Sequence, residues 1–406
     1  MRTSLLPVLL ALLLVSACSR EPVSLATAAP EASSAAATGA PAVMPCTVYH
    51  IPATPEVLAS PFEGSGHAAG PQDAAVTIVV FSGYQCPACA YQASILRSIR
   101  SLHADSVRFV FFSVLRPEND KDETAVRLVE AAALQDRFWE LHDLLFDNYA
   151  VWSGMTPEAL LDWAVAGSAA LGLDPARLRA DASGAEVEQR LAQVRSVSES
   201  LQAYPLPILY LNSNAPYTGL ADLASLDTVV RMEILTARMF SRCPDWLIDP
   251  VRQYIATLET DRGEVVIQLF PDKSPLAVNN FVFLARQGWY DNITWHQVIA
   301  GSLVASGDPS GSGLGNPGYY FDVELAPGLS FDRPGMLAMD NRGIGTNGSQ
   351  FFITLSAQPQ LDGNYTIFGQ VLQGVDVLAA LTPREAQPGL YLVPGDRLIR
   401  VRIEER

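Results

Sequence analysis

Cations are scarce in this 406-residue chain: 27 Lys and Arg stand against 43 Asp and Glu, a formal net charge of −16. That balance argues against a polyanionic partner, so no nucleic-acid binding is expected. Histidine is equally thin. The five histidines, at 50, 67, 103, 142 and 296, are scattered, and none is spaced to complete a zinc site with the one Cys-x-x-Cys. Neither a metal nor a cofactor is expected. Beyond the first residues no stretch is apolar for long enough to span a bilayer. What the chain has is length, too much for one ordinary core, so two domains with additions are expected.

The organising stretch runs from Ala75 to Leu102. Val76 to Phe81 is β-branched and aromatic, which suits a buried strand. Ser82 to Gln85 makes a turn, Cys86-Pro87-Ala88-Cys89 follows, and a helical pattern then begins. Tyr91, Ile95, Ile99 and Leu102 recur at three- and four-residue spacing and predict one apolar helix face. A Cys-x-x-Cys where a strand hands over to a helix N-terminus favours a thiolate, because unpaired backbone N–H groups and the helix dipole stabilise negative charge there. Thiolates attack disulfides, so the pair reads as a redox centre, with Cys86 as nucleophile by position. The plainer alternative is a local structural disulfide.

Met1-Arg2, an apolar run from Leu5 to Val15, and small residues before Cys18 make an export signal. Val15-Ser16-Ala17-Cys18 resembles the bacterial lipobox, which implies acylation of Cys18 and an extracytoplasmic, membrane-anchored lipoprotein. An ordinary signal peptide with a coincidental cysteine is the alternative. Residues 19–45, rich in Ala, Ser, Pro and Glu without periodicity, read as a flexible tether. With Cys18 taken by lipid and Cys86 and Cys89 by redox work, Cys46 and Cys243 are left at the two edges of the first domain. They are expected to form a structural disulfide closing that domain, with Thr47 to His50 as a possible first strand. Closing so long a loop contributes about 4–5 kcal/mol in the chain-entropy model. Two unpaired thiols are the alternative.

Val107 to Val114 reads as a second buried strand. Helical signals fill about 123–201, with Thr156-Pro157 and Asp174-Pro175 as helix starts. Tyr204 to Asn212 returns to strand, and a helix spans about Leu223 to Phe240. The order strand, Cys-x-x-Cys helix, strand, helical insertion, Pro-strand, helix resembles the thioredoxin fold of the DsbA kind over roughly 46–243. Gln135 to Phe146 (QDRFWELHDLLF) looks like part of that family's insertion. The resemblance implies that Pro207 is the cis proline that faces the cysteines and helps bind extended peptide; a trans proline in a loop is the alternative. Ala88 departs from DsbA, which has His there. Losing that cationic neighbour makes Cys86 less acidic and the disulfide less oxidising, so the direction of exchange stays open.

After a linker at 244–251 the pattern turns to sheet. Tyr254 to Phe270 reads as a hairpin about Thr260 to Gly263. Ser274 is expected to cap a helix that opens at Pro275, has Val278, Phe281 and Leu284 on its apolar face and ends at Gly288. Short strands with Gly-rich turns follow, which predicts a closed β-barrel with few helices. Trp295 to Ile299, Gly307-Asp308-Pro309, Asn347 to Ile353 and Leu361 to Gly369 together resemble cyclophilin, a peptidyl-prolyl isomerase, over 252–406. The resemblance implies catalytic or binding roles for the positions matching Asn341, Gln350, Phe352, Leu303, Leu361 and Tyr365. It also exposes departures. Gln297 replaces the family Arg that hydrogen-bonds the twisting amide, Ser302 the pocket Phe, Ala305 a Gln, and Gln360 a Trp. The fold class is therefore two-domain: an α/β thioredoxin fold with helical insertion, then a cyclophilin-like barrel. The expected partners are folding exported proteins that contain Cys and Pro, an unknown redox partner, and the membrane through the lipid.

Overall fold

The computed structural model describes residues 42–50, 66–212, 216–385 and 395–406. The expected export signal, Cys18 and nearly all of the expected tether lie outside the described residues.

The first half is built on a five-stranded sheet. Its elements are β2 (His67–Ala69), β3 (Val76–Ser82), α1 (Pro87–Leu102), β4 (Val107–Ser113), β5 (Ile208–Leu211) and β6 (Tyr217–Thr218), with β1 (Thr47–Val48) ahead of them. The strand order is β2-β4-β3-β5-β6. β3 and β4 run parallel, from Val76 opposite Val107 to Ser82 opposite Ser113, so the connection must cross over, and α1 does so. β2 and β5 lie antiparallel to their neighbours. Between β4 and β5 come the inserted helices α2 (Asp122–Ala133), α3 (Phe138–Asp147), α4 (Tyr149–Trp152), α5 (Pro157–Ser168), α6 (Pro175–Ala182) and α7 (Ala185–Ser200). Thr156 and Asp174 cap α5 and α6 through their side chains, each with Pro at the first helical turn. α8 (Leu223–Thr236) follows the sheet.

α1 buries only half of the face its spacing suggested. Cys89, Gln92, Ile95, Leu96 and Ile99 are buried, while Tyr91 and Leu102 are exposed. At about 100° per residue, Tyr91 and Leu102 fall roughly a quarter turn off the centre of that stripe.

The second half holds β7 (Tyr254–Thr260), β8 (Gly263–Leu269), α9 (Pro275–Arg286), β9 (Ile293–Thr294), β10 (Gln297–Ile299), β11 (Leu303–Ser306), β12 (Tyr319–Tyr320), β13 (Met336–Met339), β14 (Phe351–Thr354), β15 (Ile367–Gln373), α10 (Val375–Ala379) and β16 (Arg397–Glu405). Nine strands form one antiparallel sheet in the order β10-β11-β14-β13-β15-β8-β7-β16-β9. The expected closed ladder is not present among the described residues. The two edge strands, β9 and β10, do not pair; they are successive in the chain, with only Trp295 and His296 between them. One face of the sheet packs on α9 through Val278, Phe281 and Leu284. Ser274 stands at the N-cap of α9 without capping it. Its hydroxyl instead donates to the Ile367 carbonyl at 2.7 Å, and the Glu324 carboxylate accepts from the N–H groups of Leu276 and Ala277, each at 2.9 Å. A distant acid does the work expected of the local serine.

Two further expectations are corrected. β1 is not a strand of the thioredoxin-like sheet: Thr47 and Val48 pair with Tyr320 and Tyr319 of the second half. Met44 is likewise buried in the core of that half, with Cys46 and Val48 packed against it. The expected disulfide does join Cys46 and Cys243, 197 residues apart, but its Cys46 end packs on the second half rather than on the first. Short β-branched pairs suit any free strand edge, so the sequence identifies a strand here and leaves its partner open.

Candidate functional site

β3 delivers the chain to a turn whose last residue, Gln85, is pinned by the start of α2. The Gln85 N–H donates to Asp122 Oδ1 at 2.7 Å, and Gln85 Oε1 accepts from the Lys121 N–H at 2.8 Å. Asp122 is buried, which pushes its carboxyl up, while N–H donors from Gln85, Asn119 and Arg116 pull the other way. Cys86 is the N-cap of α1 and Pro87 fills the first helical position, where no N–H is needed. The Cys89 N–H donates to Cys86 Sγ at 3.1 Å, and the two cysteines are joined as a disulfide. Cys86 is half-buried, while Cys89 is 1 % exposed.

The Leu206–Pro207 peptide bond is cis. Pro207 and Cys89 line one narrow cavity of about 20 Å³, room for roughly one water molecule, with Gln92, Phe111, Arg100 and His142 around it. Burial first, then the neighbouring Arg100 and Arg97 guanidiniums, hold the His142 imidazole well below its ordinary range, so it is neutral. Its Nδ1 lies 2.9 Å from the Tyr84 hydroxyl. Arg100 lies over the Trp139 ring at 4.5 Å and pairs with Asp143.

A second constellation crosses the nine-stranded sheet. Register places Gln297 opposite Ala305, Ala305 opposite Phe352, Phe352 opposite Ala338, and Ala338 opposite Ile367. These five residues form one lateral row on one face. Phe352 is the centre of a small apolar cluster, stacked on Phe331 at 5.6 Å and edge-on to Tyr365 at 5.2 Å. Leu303 and Leu361 pack against the same cluster half-buried, leaving an apolar floor open to one side. Gln350 Nε2 donates to the carbonyls of Gly313 and Gly315 at 3.1 and 2.7 Å. Asn341 Nδ2 donates to Asn347 Oδ1 and the Asn364 carbonyl at 3.2 and 3.3 Å. The Gln297 side chain forms no hydrogen bond among the described residues and ends the row as a neutral donor. Gly307, at φ +99°, lets β11 leave the sheet beside β14: a Cβ there would stand 2.3 Å from the Ser349 carbonyl oxygen.

Sequence reasoning placed the cysteines, Pro207 and the groove residues, but missed Phe331 and Asp122. Phe331 stands alone in a Pro- and Gly-rich stretch without periodicity, and Asp122 reads as an ordinary acidic helix start. Their roles exist only across the fold.

Residues 255–401 match the family model described as cyclophilin type peptidyl-prolyl cis-trans isomerase, and residues 63–197 match a thioredoxin model. Peptidyl-prolyl cis-trans isomerase B of Streptomyces anulatus is 43 % identical over 158 residues, 34 % of this chain and 90 % of that protein. Peptidyl-prolyl cis-trans isomerase A of Mycobacterium tuberculosis is 44 % identical over 145 residues, 32 % of this chain and 80 % of that protein. A peptidyl-prolyl cis-trans isomerase-like 1 protein of Rhizopus delemar is 42 % identical, with 86 % of its length covered. Through residues 255–401 the chain belongs to the cyclophilin-type peptidyl-prolyl cis-trans isomerase family, and it carries that domain behind a thioredoxin-like one.

Proposed function

We propose that this is an extracytoplasmic folding factor, tethered through an acylated Cys18, that exchanges disulfides on client proteins at Cys86 and Cys89 and turns over their prolyl bonds in the Phe352 groove. The observation that carries the redox half is the Cys89 N–H aimed at Cys86 Sγ at a helix start, with Cys89 and Pro207 lining one cavity. An N–H donor at that sulfur favours the thiolate over the thiol. In the exchange a client thiolate attacks Cys86 Sγ, the Cys86–Cys89 bond breaks, and Cys89 leaves with the electron pair and takes a proton from water. A second client thiolate then displaces Cys86, leaving a client disulfide and a dithiol; reduction runs the same steps backwards. Cys89→Ser is expected to trap mixed disulfides with clients through Cys86, and Cys86→Ser to trap none. Equal trapping by both variants would refute the role of Cys86.

The isomerase half rests on family membership and on the apolar floor. A prolyl isomerase must bind the twisted amide better than either planar form, against a barrier of about 18–20 kcal/mol. A neutral Gln297 donor is roughly half as strong as a charge-assisted one. Losing one well-placed donor costs on the order of 10²–10³ in rate in other enzymes. That departure favours a second reading, a groove retained to hold prolyl peptides without turnover. Prolyl isomerisation by the full chain beside Gln297→Arg separates them. Wild-type turnover supports the enzyme; turnover only in the Arg variant supports the binding module.

A further inference from the structure

α8 belongs to two cores. Leu226 and Val230 lie in the core of the thioredoxin-like half, and Leu235, 2 % exposed, lies in the core of the barrel half with Met232 packed against it. The helix is also tied to the redox helix. His103, the C-cap of α1, meets Asp227 Oδ1 at 2.6 Å, and Asp227 is fully buried.

The barrel-facing side of α8 abuts the loop between β11 and β12. A Cβ on Gly315 would stand 2.5 Å from Leu235 Cδ2, so the leucine methyl lies directly against the glycine backbone. The Ser312 hydroxyl lies 3.8 Å from Met232 Sδ. Inside the loop the buried Asp308 carboxylate gathers the Ser310 N–H and hydroxyl, both at 2.8 Å, the Ser312 hydroxyl at 3.2 Å and the Gly315 N–H at 3.0 Å. Just beyond, the Phe240 N–H donates to the Pro317 carbonyl at 2.8 Å. The loop's other side supplies the two carbonyls, of Gly313 and Gly315, that hold the Gln350 amide.

We infer that Met232 and Leu235, both contributed by the thioredoxin-like half, are positioning residues for the prolyl groove: they form the outer wall of the loop whose carbonyls orient Gln350. This rests on the reading that Gln350 faces the bound prolyl peptide. A loop packed on one side by an apolar wall and on the other by a side-chain amide has its carbonyl directions set by both. Removing the wall lets the carbonyls turn, and displacements of about 1 Å in a site cost up to 10²-fold in rate.

The test uses the full chain with Leu235→Ala, Leu235→Met and Val230→Ala. Val230→Ala removes methyls from the opposite side of the same helix and controls for lost stability. The readouts are the side-chain amide NMR signals of Gln350 and the kcat and KM for an Ala-Pro tetrapeptide. Leu235→Ala is expected to shift the Gln350 signals and lower kcat roughly tenfold, Leu235→Met to restore both, and Val230→Ala to change neither. Should Leu235→Ala not fold, Met232→Ala takes its place, because Met232 is only half-buried. Unmoved Gln350 signals in the folded variant, or the same response to Val230→Ala, would overturn the inference. A wild type without turnover counts against the isomerase reading alone, and the Gln350 signals still decide this one.

Discussion

The backbone N–H of Cys89 donates to Cys86 Sγ from 3.1 Å, and only Cys86 of the pair has a surface open to solvent. Donor and exposure together are expected to make Cys86 the reactive thiol once the disulfide is reduced. In the reduced protein, alkylation at pH 7 is expected to label Cys86 first, with an apparent pKa below the roughly 8.5 of a free thiol. Ala88→His adds a cation beside the same sulfur and is expected to lower that pKa further and make the disulfide more oxidising. Mass spectrometry that finds Cys89 labelled as fast as Cys86 would contradict the assignment.

Asp227 links α1 to α8 and gives stability a pH dependence. Burial pushes its carboxyl up, but hydrogen bonds from His103 and Arg231 outweigh that and hold it below the usual carboxylate range. A carboxylate lowered in the folded state stabilises fully above its unfolded value of about 3.9, and that contribution is lost as pH falls through the folded value. Asp227→Ala is expected to cost about 3–5 kcal/mol at pH 7, the range for removing one partner of a buried pair. The gap from wild type should narrow below about pH 4. Urea unfolding of both proteins at pH 7 and pH 3 measures it; an equal gap at both would refute the pairing as the cause.

The Cys46–Cys243 bridge fastens the segment around Met44 and Val48 to the second half. Replacing both cysteines by Ala is expected to loosen that segment. The effect should be local. Amide exchange of Thr47, Val48, Tyr319 and Tyr320 is expected to rise, while β3 and β4 keep their protection. Faster exchange in β3 and β4 instead would return the bridge to the first domain.

Local chemistry was legible from the chain, because strand, turn, cysteines and helix are contiguous between Val76 and Leu102. The groove was legible for a similar reason: Gln350 and Phe352 sit in one run of residues, Leu361 and Tyr365 in another. Periodicity located α1 as a helix but misjudged the centre of its buried face. Tyr91 and Leu102 sit at the margin of the buried stripe, and α8 carries two stripes, one around Leu226 and Val230 and one around Met232 and Leu235. A three- and four-residue spacing reports that a helix has apolar neighbours; it does not say on how many sides.

By itself the sequence determined the order of the elements, the Cys-x-x-Cys between strand and helix, the family of the second half and the neutral residue where a cationic donor is expected. Each of these is written in neighbouring residues. Only the tertiary structure decided that Thr47 and Val48 pair across to Tyr320 and Tyr319, that Glu324 rather than Ser274 caps α9, and that Leu235 stands against Gly315. Those partners are 47 to 273 residues apart in sequence. What selects each one is which surfaces remain to be covered once both cores have formed, and that is a property of the packed chain.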